Sequence, residues 1–314
     1  MLPRPLSRRT LIVAAGAGLL AACSAGCSPR RDPGIRELVL ATGPDGAVFQ
    51  KIGGAIATLL AKALPDIAVR ALPSSASVQN LHLLNSGTAQ LALSSLDAIS
   101  EHPNTSIHGI SAVGRLYDSF LHLVVPAAGP IRGFEDLDGK RVSIGARGSG
   151  TEFIVANLRR VTGMSFTPVL LNQQESAAAL ARGSLDAFFT LTGIPTPAIT
   201  DLEQHTRIRL VPLTAQAQAL AGLPTGYYLP ATIPATTYGA LPPCPTVVTP
   251  NLLLAREDVP EDVVETVTRT VFLEAPTIAA DRPEARRINI RTGISTGPIP
   301  LHSGAARWFR ALKR

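Results

Sequence analysis

Aromatic side chains make up only 4% of this chain of 314 residues, methionine occurs twice, tryptophan once and cysteine three times. So few cysteines exclude a disulfide-stapled scaffold. Cys27 and Cys244 either pair or stay free; two leftover thiols do not decide it. His82, His102, His108, His122, His205 and His302 show no Cys/His pairing at ligand spacing, so no metal centre is expected. Basic residues are scattered rather than set in a Lys/Arg stripe interleaved with aromatics, which excludes a nucleic-acid surface. Long apolar runs are missing too. The best candidate, Leu11 to Ala22, falls short of the about 20 residues a spanning helix needs, so the chain is no channel or permease by itself. What is present is 46% hydrophobic residues against 17% charged ones, enough for one large core or two smaller ones.

The first residues have a pattern of their own. Ser7-Arg8-Arg9-Thr10 precedes the apolar run, and Leu20-Ala21-Ala22-Cys23 closes it. Paired arginines ahead of an apolar run resemble the twin-arginine export signal. Small residues before Cys23 resemble the lipobox of bacterial lipoproteins, in which the cysteine is diacylated. Two acyl chains suffice for stable anchoring, at about 0.8 kcal/mol per buried methylene. The expected division is an export signal over 1–22 and a lipidated tether over 23–34, with Cys23 at the outer face of the cell membrane. Cleavage after Ala22 removes Arg4, Arg8 and Arg9 and no acid, taking the formal charge from +6 to +3.

From Ile35 onward short apolar runs alternate with helical periodicity. Glu37 to Ala41 reads as strand, Ala47 to Ala63 as helix, Ile67 to Leu72 as strand, Ser77 to Asn85 as helix and Leu91 to Ser94 as strand. A weak repeat follows. Leu38 to Phe49 and Arg141 to Phe153 are both strand, glycine-bearing loop and helix start, while Asn80 to Leu93 aligns without gaps on Ser176 to Phe189. Two similar lobes are implied. Leu121 to Pro126 suits a crossing from one to the other, with Tyr227 to Leu229 and Thr246 to Leu254 as the return, and Pro260 to Leu273 as a further helix of the first lobe. The expected lobes are 35–125 plus 230–314, and 126–229. Two lobes joined by two crossing strands form an α/β clamp that closes on a small molecule.

The loops facing such a cleft carry the candidate contacts. Gly148-Ser149-Gly150-Thr151-Glu152 follows a strand and opens a helix, so its free N–H groups and helix dipole suit an anion, with Ser149, Gly150 and Thr151 holding it. The alternative is that Ser149 or Thr151 caps its own helix. In the other lobe Asp45 either recognises an ammonium group or caps the helix at Ala47. Thr42, Ser77, Asn80, Ser95, Asp97 and Thr192 are the other expected lining residues. Catalytic patterns are missing: Arg147 stands where a nucleophile elbow needs glycine, and no loop continues into Gly-Lys-Ser/Thr. Asp136 and Asp138 lie in a turn. No enzyme and no cofactor is expected.

Thr42-Gly43 through Gly53-Gly54, Ser77-Val78-Gln79-Asn80-Leu81, Asp136-Leu137-Asp138-Gly139-Lys140-Arg141-Val142 leading to Gly148-Ser149-Gly150-Thr151, and Gly193-Ile194-Pro195-Thr196-Pro197-Ala198 together resemble the TAXI family. Its members are extracytoplasmic solute receptors of TRAP transporters. The resemblance runs from about Leu38 to Ala305 and implies a two-lobed type II periplasmic-binding-protein fold. It also implies a monomeric receptor that passes a small organic acid or amino acid to a TRAP permease. The chain departs from the family at Pro44-Asp45, where a glycine-rich loop is usual, and at Phe49, which lacks a hydroxyl. The rival reading is a lipoprotein sensor presenting its liganded state to a membrane signalling protein.

Overall fold

The computed structural model describes residues 34–101, 108–223, 227–239 and 241–313. The export segment, Cys23, Cys27, nearly all of the tether and His102 lie outside the described residues.

Strand β1 (Glu37–Ala41) alternates its side chains between two cores: Leu38 and Leu40 enter one, Val39 and Ala41 the other. A strand buried on both faces needs helices above and below it. Helix α1 (Val48–Ala63) supplies one cover through Val48, Ile52, Ile56 and Leu60, spaced four apart on one stripe. Each such aliphatic contributes about 1.5–3 kcal/mol on burial. Strand β2 (Ala68–Leu72), helix α2 (Ser77–Asn85), strand β3 (Leu91–Ser95) and the short helix α3 (Leu96–Glu101) follow, with β2 and β3 parallel to β1 on its two sides.

Strand β4 (Ile110–Pro126) runs for 17 residues. Beyond it the first pattern recurs: β5 (Arg141–Ser143), α4 (Gly150–Thr162), β6 (Thr167–Val169), α5 (Gln173–Ala181) and β7 (Ala187–Thr192). β6 and β7 flank β5 in parallel as β2 and β3 flank β1, so the sequence repeat is a topological one. The second lobe continues with α6 (Pro197–Glu203), β8 (Ile208–Leu210), α7 (Thr214–Ala221) and β9 (Leu229–Ile233). Strand β10 (Cys244–Arg256) then returns the chain to the first lobe, where α8 (Glu261–Leu273), α9 (Ala275–Ala279), α10 (Ile290–Gly293) and α11 (Ser303–Ala311) close its core.

One sheet runs through both lobes in the order β2-β1-β3-β10-β4-β7-β5-β6. The crossing is made by β4 and β10, paired antiparallel. Tyr227 to Leu229, expected as part of the return, instead leads into β9, which pairs with the first half of β10. Ile233, Tyr238, Cys244 and Val248 accordingly pack with the second lobe, so the segment after 229 stays there until β10 has crossed. Pro250 interrupts β10 at a register shift against β4, a position where the missing N–H is tolerated. Asp136 accepts the Arg132 and Gly133 N–H groups at 2.7 and 2.9 Å, and these bonds hold its carboxyl below the usual range. Cys244 is buried, and burial pushes its thiol up to about 11. Among the described residues no helix is long and apolar enough to cross a membrane.

Candidate functional site: a cleft between the lobes

Two βαβ units that face each other across a pair of crossing strands bring their strand carboxyl ends, and therefore their helix N-termini, to a common space. About 600 Å³ of atom-free space, partly open to solvent, lies there. The first residues of four helices line it. Ala47 and Val48 belong to the start of α1, Ala76 and Ser77 to α2, Ser149, Gly150 and Thr151 to α4, and Asn172 and Gln173 to α5. The positive ends of four helix dipoles thus converge. No side chain of the lining carries a formal charge.

The floor is the middle of the sheet. Ser95 on β3, Asn251 on β10, Ser119 on β4 and Thr190 and Thr192 on β7 come from four strands that are neighbours in order. Asn251 stands opposite Ser95 at the β10 register shift and donates its amide N–H to Ser119 Oγ at 2.8 Å. Three polar atoms of the lining are buried without a partner: Asn251 Oδ1, Thr190 Oγ1 and Gln173 Oε1. Buried polar groups are ordinarily paired, so an unpaired one in a cleft is where a ligand's polar atom fits.

Of the residues expected from sequence, Ser77, Ser95, Ser149, Gly150, Thr151 and Thr192 line the cleft. Ser77 Oγ lies 3.1 Å from Ser95 Oγ, joining α2 to β3. Ser149 caps its own helix by accepting the Glu152 N–H at 3.1 Å, and Thr151 Oγ1 accepts the Leu191 N–H at 2.9 Å. Both hydroxyls are therefore structural acceptors that keep only their own hydrogen for a ligand. The Glu152 carboxylate turns back onto the Gly148 N–H. Any anion at this loop then depends on the first N–H groups of α4, at Gly150 and Thr151, which have no partner within the helix.

The other four expected residues do not line the cleft. Thr42 is fully buried, with its hydroxyl bonded to the Leu72 carbonyl at 3.1 Å. Asn80 is fully buried and spends its amide on the Thr42 and Leu93 carbonyls at 2.6 and 2.7 Å, while Ser74 donates to its Oδ1 at 2.6 Å. Asp97 is fully buried at the start of α3 and accepts from Thr249 Oγ1 at 3.4 Å. Asp45 is exposed: the turn closes through the Ala47 N–H on the Pro44 carbonyl, which leaves its side chain outside, and α1 has no side-chain cap. Neither an ammonium partner nor a cap is made of it. Ser119, Asn172, Gln173 and Asn251 were not expected. A signal for Asn251 exists, since Thr249-Pro250-Asn251 breaks an otherwise apolar strand.

Behind the floor His122 is 1% exposed. Its Nδ1 lies 2.9 Å from the Phe120 carbonyl and its Nε2 2.9 Å from Tyr238 Oη, which also accepts the Thr196 N–H at 3.0 Å. Burial pushes the imidazole down to about 4 and the Tyr238 phenol up. The Tyr238 hydroxyl donates to Thr196 Oγ1 at 2.8 Å, so the His122–Tyr238–Thr196 contacts tie β4 to the loop after β7. Among the described residues no group of His, Cys, Asp and Glu is placed to hold a metal ion.

The fold is that of known binding proteins. A structure described as a periplasmic transporter superposes with a TM-score of 0.54 at 15% identity, covering 88% of this chain and 93% of the other. The alkanesulfonate-binding protein SsuA from Xanthomonas axonopodis pv. citri, bound to MOPS, gives 0.52 at 20% identity over 87% of this chain and 83% of that one. A putative L-cystine ABC transporter protein from Listeria monocytogenes gives 0.52 at 12% identity over 81% and 99%. Residues 40–311 match the NMT1-like family, and the chain belongs to that family.

Proposed function

We propose that the chain is an extracytoplasmic solute receptor that captures a small carboxylated solute between its lobes and delivers it to a membrane permease. The observation that carries this reading is the convergence of four helix N-termini on an uncharged cleft whose buried polar atoms lack partners. Helix N-termini favour anions without any cationic side chain. No constellation of nucleophile, base and orienting group lines the cleft, and the reading involves no turnover. Of the proteins with the same fold, one is named for binding an alkanesulfonate and one as a putative L-cystine ABC transporter, and both solutes carry an acid group. The TAXI resemblance favours a TRAP-type permease as the partner of a monomeric receptor, and the Cys23 lipobox favours anchoring on the outer face of the membrane.

Thermal unfolding of the full chain against a panel of amino acids and organic acids tests the capture step. A solute at a hundred times its dissociation constant adds about 2.7 kcal/mol to the folded state. Stabilisation by one acid class, with the compound recovered unchanged, is the expected result; a chemically altered compound, or no shift with any acid, counts against it. Cys23→Ser is expected to release the protein from membranes.

A further inference from the structure

Granted the receptor reading above, the deep end of the cleft says more about the solute. We infer that it is a hydroxylated monocarboxylate whose hydroxyl is held between Asn251 and Ser119, and that amino acids and dicarboxylates are excluded.

Each alternative meets a specific obstacle. An ammonium group leaves water for a cleft that holds no carboxylate and faces the positive ends of four helices. The nearest expected partner, Asp45, is exposed and outside the lining. A second carboxylate finds no Arg, Lys or His in the lining, and the unpartnered atoms of the lining include the carbonyl oxygens Asn251 Oδ1 on β10 and Gln173 Oε1 at the start of α5, which only accept. An apolar tail would leave those oxygens buried and unpaired, each at a cost of roughly 1–3 kcal/mol.

A hydroxyl fits both polarities. Its hydrogen satisfies Asn251 Oδ1. Its oxygen accepts from Ser119, whose Oγ already receives the Asn251 amide and so has its own hydrogen to give. Asn251 is positioned for this by the register shift that Pro250 introduces into β10, and its amide is fixed by Ser119. Asn251 and Ser119 are 0% and 2% exposed, so the pair lies at the buried end of the cleft.

The test is calorimetric titration of the full chain with matched three- and four-carbon series: the plain acid, each hydroxy acid, each amino acid and the diacid. A hydroxy acid is expected to bind about tenfold or more tightly than its plain acid, and more tightly than its amino acid or diacid. Asn251→Ala is expected to abolish the preference for the hydroxy acid over its plain acid. Ser119→Ala, which removes the group that donates to the ligand oxygen, is expected to reduce the same preference. An amino acid or diacid as the tightest ligand, a hydroxyl preference that survives in both variants, or no binding by any hydroxy acid overturns the inference. The receptor reading itself falls only if the wider panel of acids also fails to stabilise the chain.

Discussion

The carbonyl oxygen of Gly148 accepts the Val78 N–H at 3.2 Å, a hydrogen bond from the second lobe to the first turn of α2 in the first. The Gln79 N–H points to the same oxygen at 3.4 Å. Beside it, a Cβ built on Gly150 would sit 3.1 and 3.2 Å from the Ser77 and Ser95 hydroxyls. The two lobes meet here with backbone against backbone. Closure therefore relies on two glycines of a loop that sequence alone marks only as an anion site.

Gly150→Ala is expected to prevent full closure while leaving the second lobe intact. Position 150 is the first residue of α4, where alanine is the best helix former, so the isolated fold gains rather than loses. Small-angle scattering is expected to show a larger radius of gyration and titration a loss of solute affinity of about tenfold or more. Gly148→Ala should act alongside it for a different reason. Gly148 has a φ of +72°, which costs an L-residue about 1–2 kcal/mol. An unchanged radius and affinity in both variants would remove the latch.

Asn80 separates a structural from a ligand-contacting role. Its amide bridges β1 and β3 through the Thr42 and Leu93 carbonyls, and it is fully buried. Asn80→Ala leaves those acceptors dry and is expected to destabilise the fold by about 2–3 kcal/mol, several degrees in midpoint. The variant's solute affinity, measured below its transition, is expected to stay within about threefold of the parent's. A large affinity loss without destabilisation would return Asn80 to the cleft.

The repeat and the strand–helix alternation are legible because both βαβ units bury strands on two faces, which writes continuous apolar runs such as Leu38-Val39-Leu40. The α4 loop is legible because Gly148, Ser149 and Gly150 mark a tight strand-to-helix turn. Asn80 and Thr42 read as lining residues because a polar residue at a helix start or strand end looks the same whether it meets a ligand or the neighbouring backbone. Only the partner decides, and Leu72 and Leu93 are 30 and 13 residues away in the chain. Ser119 and Asn251 escape notice for the converse reason. They sit inside long crossing strands, and the floor they share exists only once β3, β10, β4 and β7 lie side by side.

His122 makes stability fall with acid. Its imidazole is pushed from the ordinary 6.5 down to about 4 by burial, so the folded state stays neutral where the unfolded chain takes up a proton. The contribution is fully present above the unfolded value and is lost as pH falls from about 6.5 towards 4, at most about 3 kcal/mol. Urea midpoints of the parent are expected to drop between about pH 7 and about pH 5 by more than those of His122→Gln, which has no proton to gain. Equal slopes would show that the ring titrates normally.

Ala76 holds strain at the edge of the cleft. Its φ of 86° and ψ of −143° place a residue with a Cβ in a region that only glycine enters freely, immediately before α2. The surroundings impose this: the Ala76 N–H donates to Ser74 Oγ at 3.0 Å, and its carbonyl accepts the Asn80 N–H at 2.9 Å. Ala76→Gly removes the clash with the backbone and adds freedom to the unfolded chain, two effects of opposite sign. Relief of about 1–3 kcal/mol of strain exceeds the roughly 0.5–1 kcal/mol entropic loss, so the variant is expected to melt a few degrees higher. A lower midpoint would mean that residue 76 relaxes in the folded protein, and the N-terminus of α2 would then be held less rigidly against the second lobe than its hydrogen bonds to Gly148 imply.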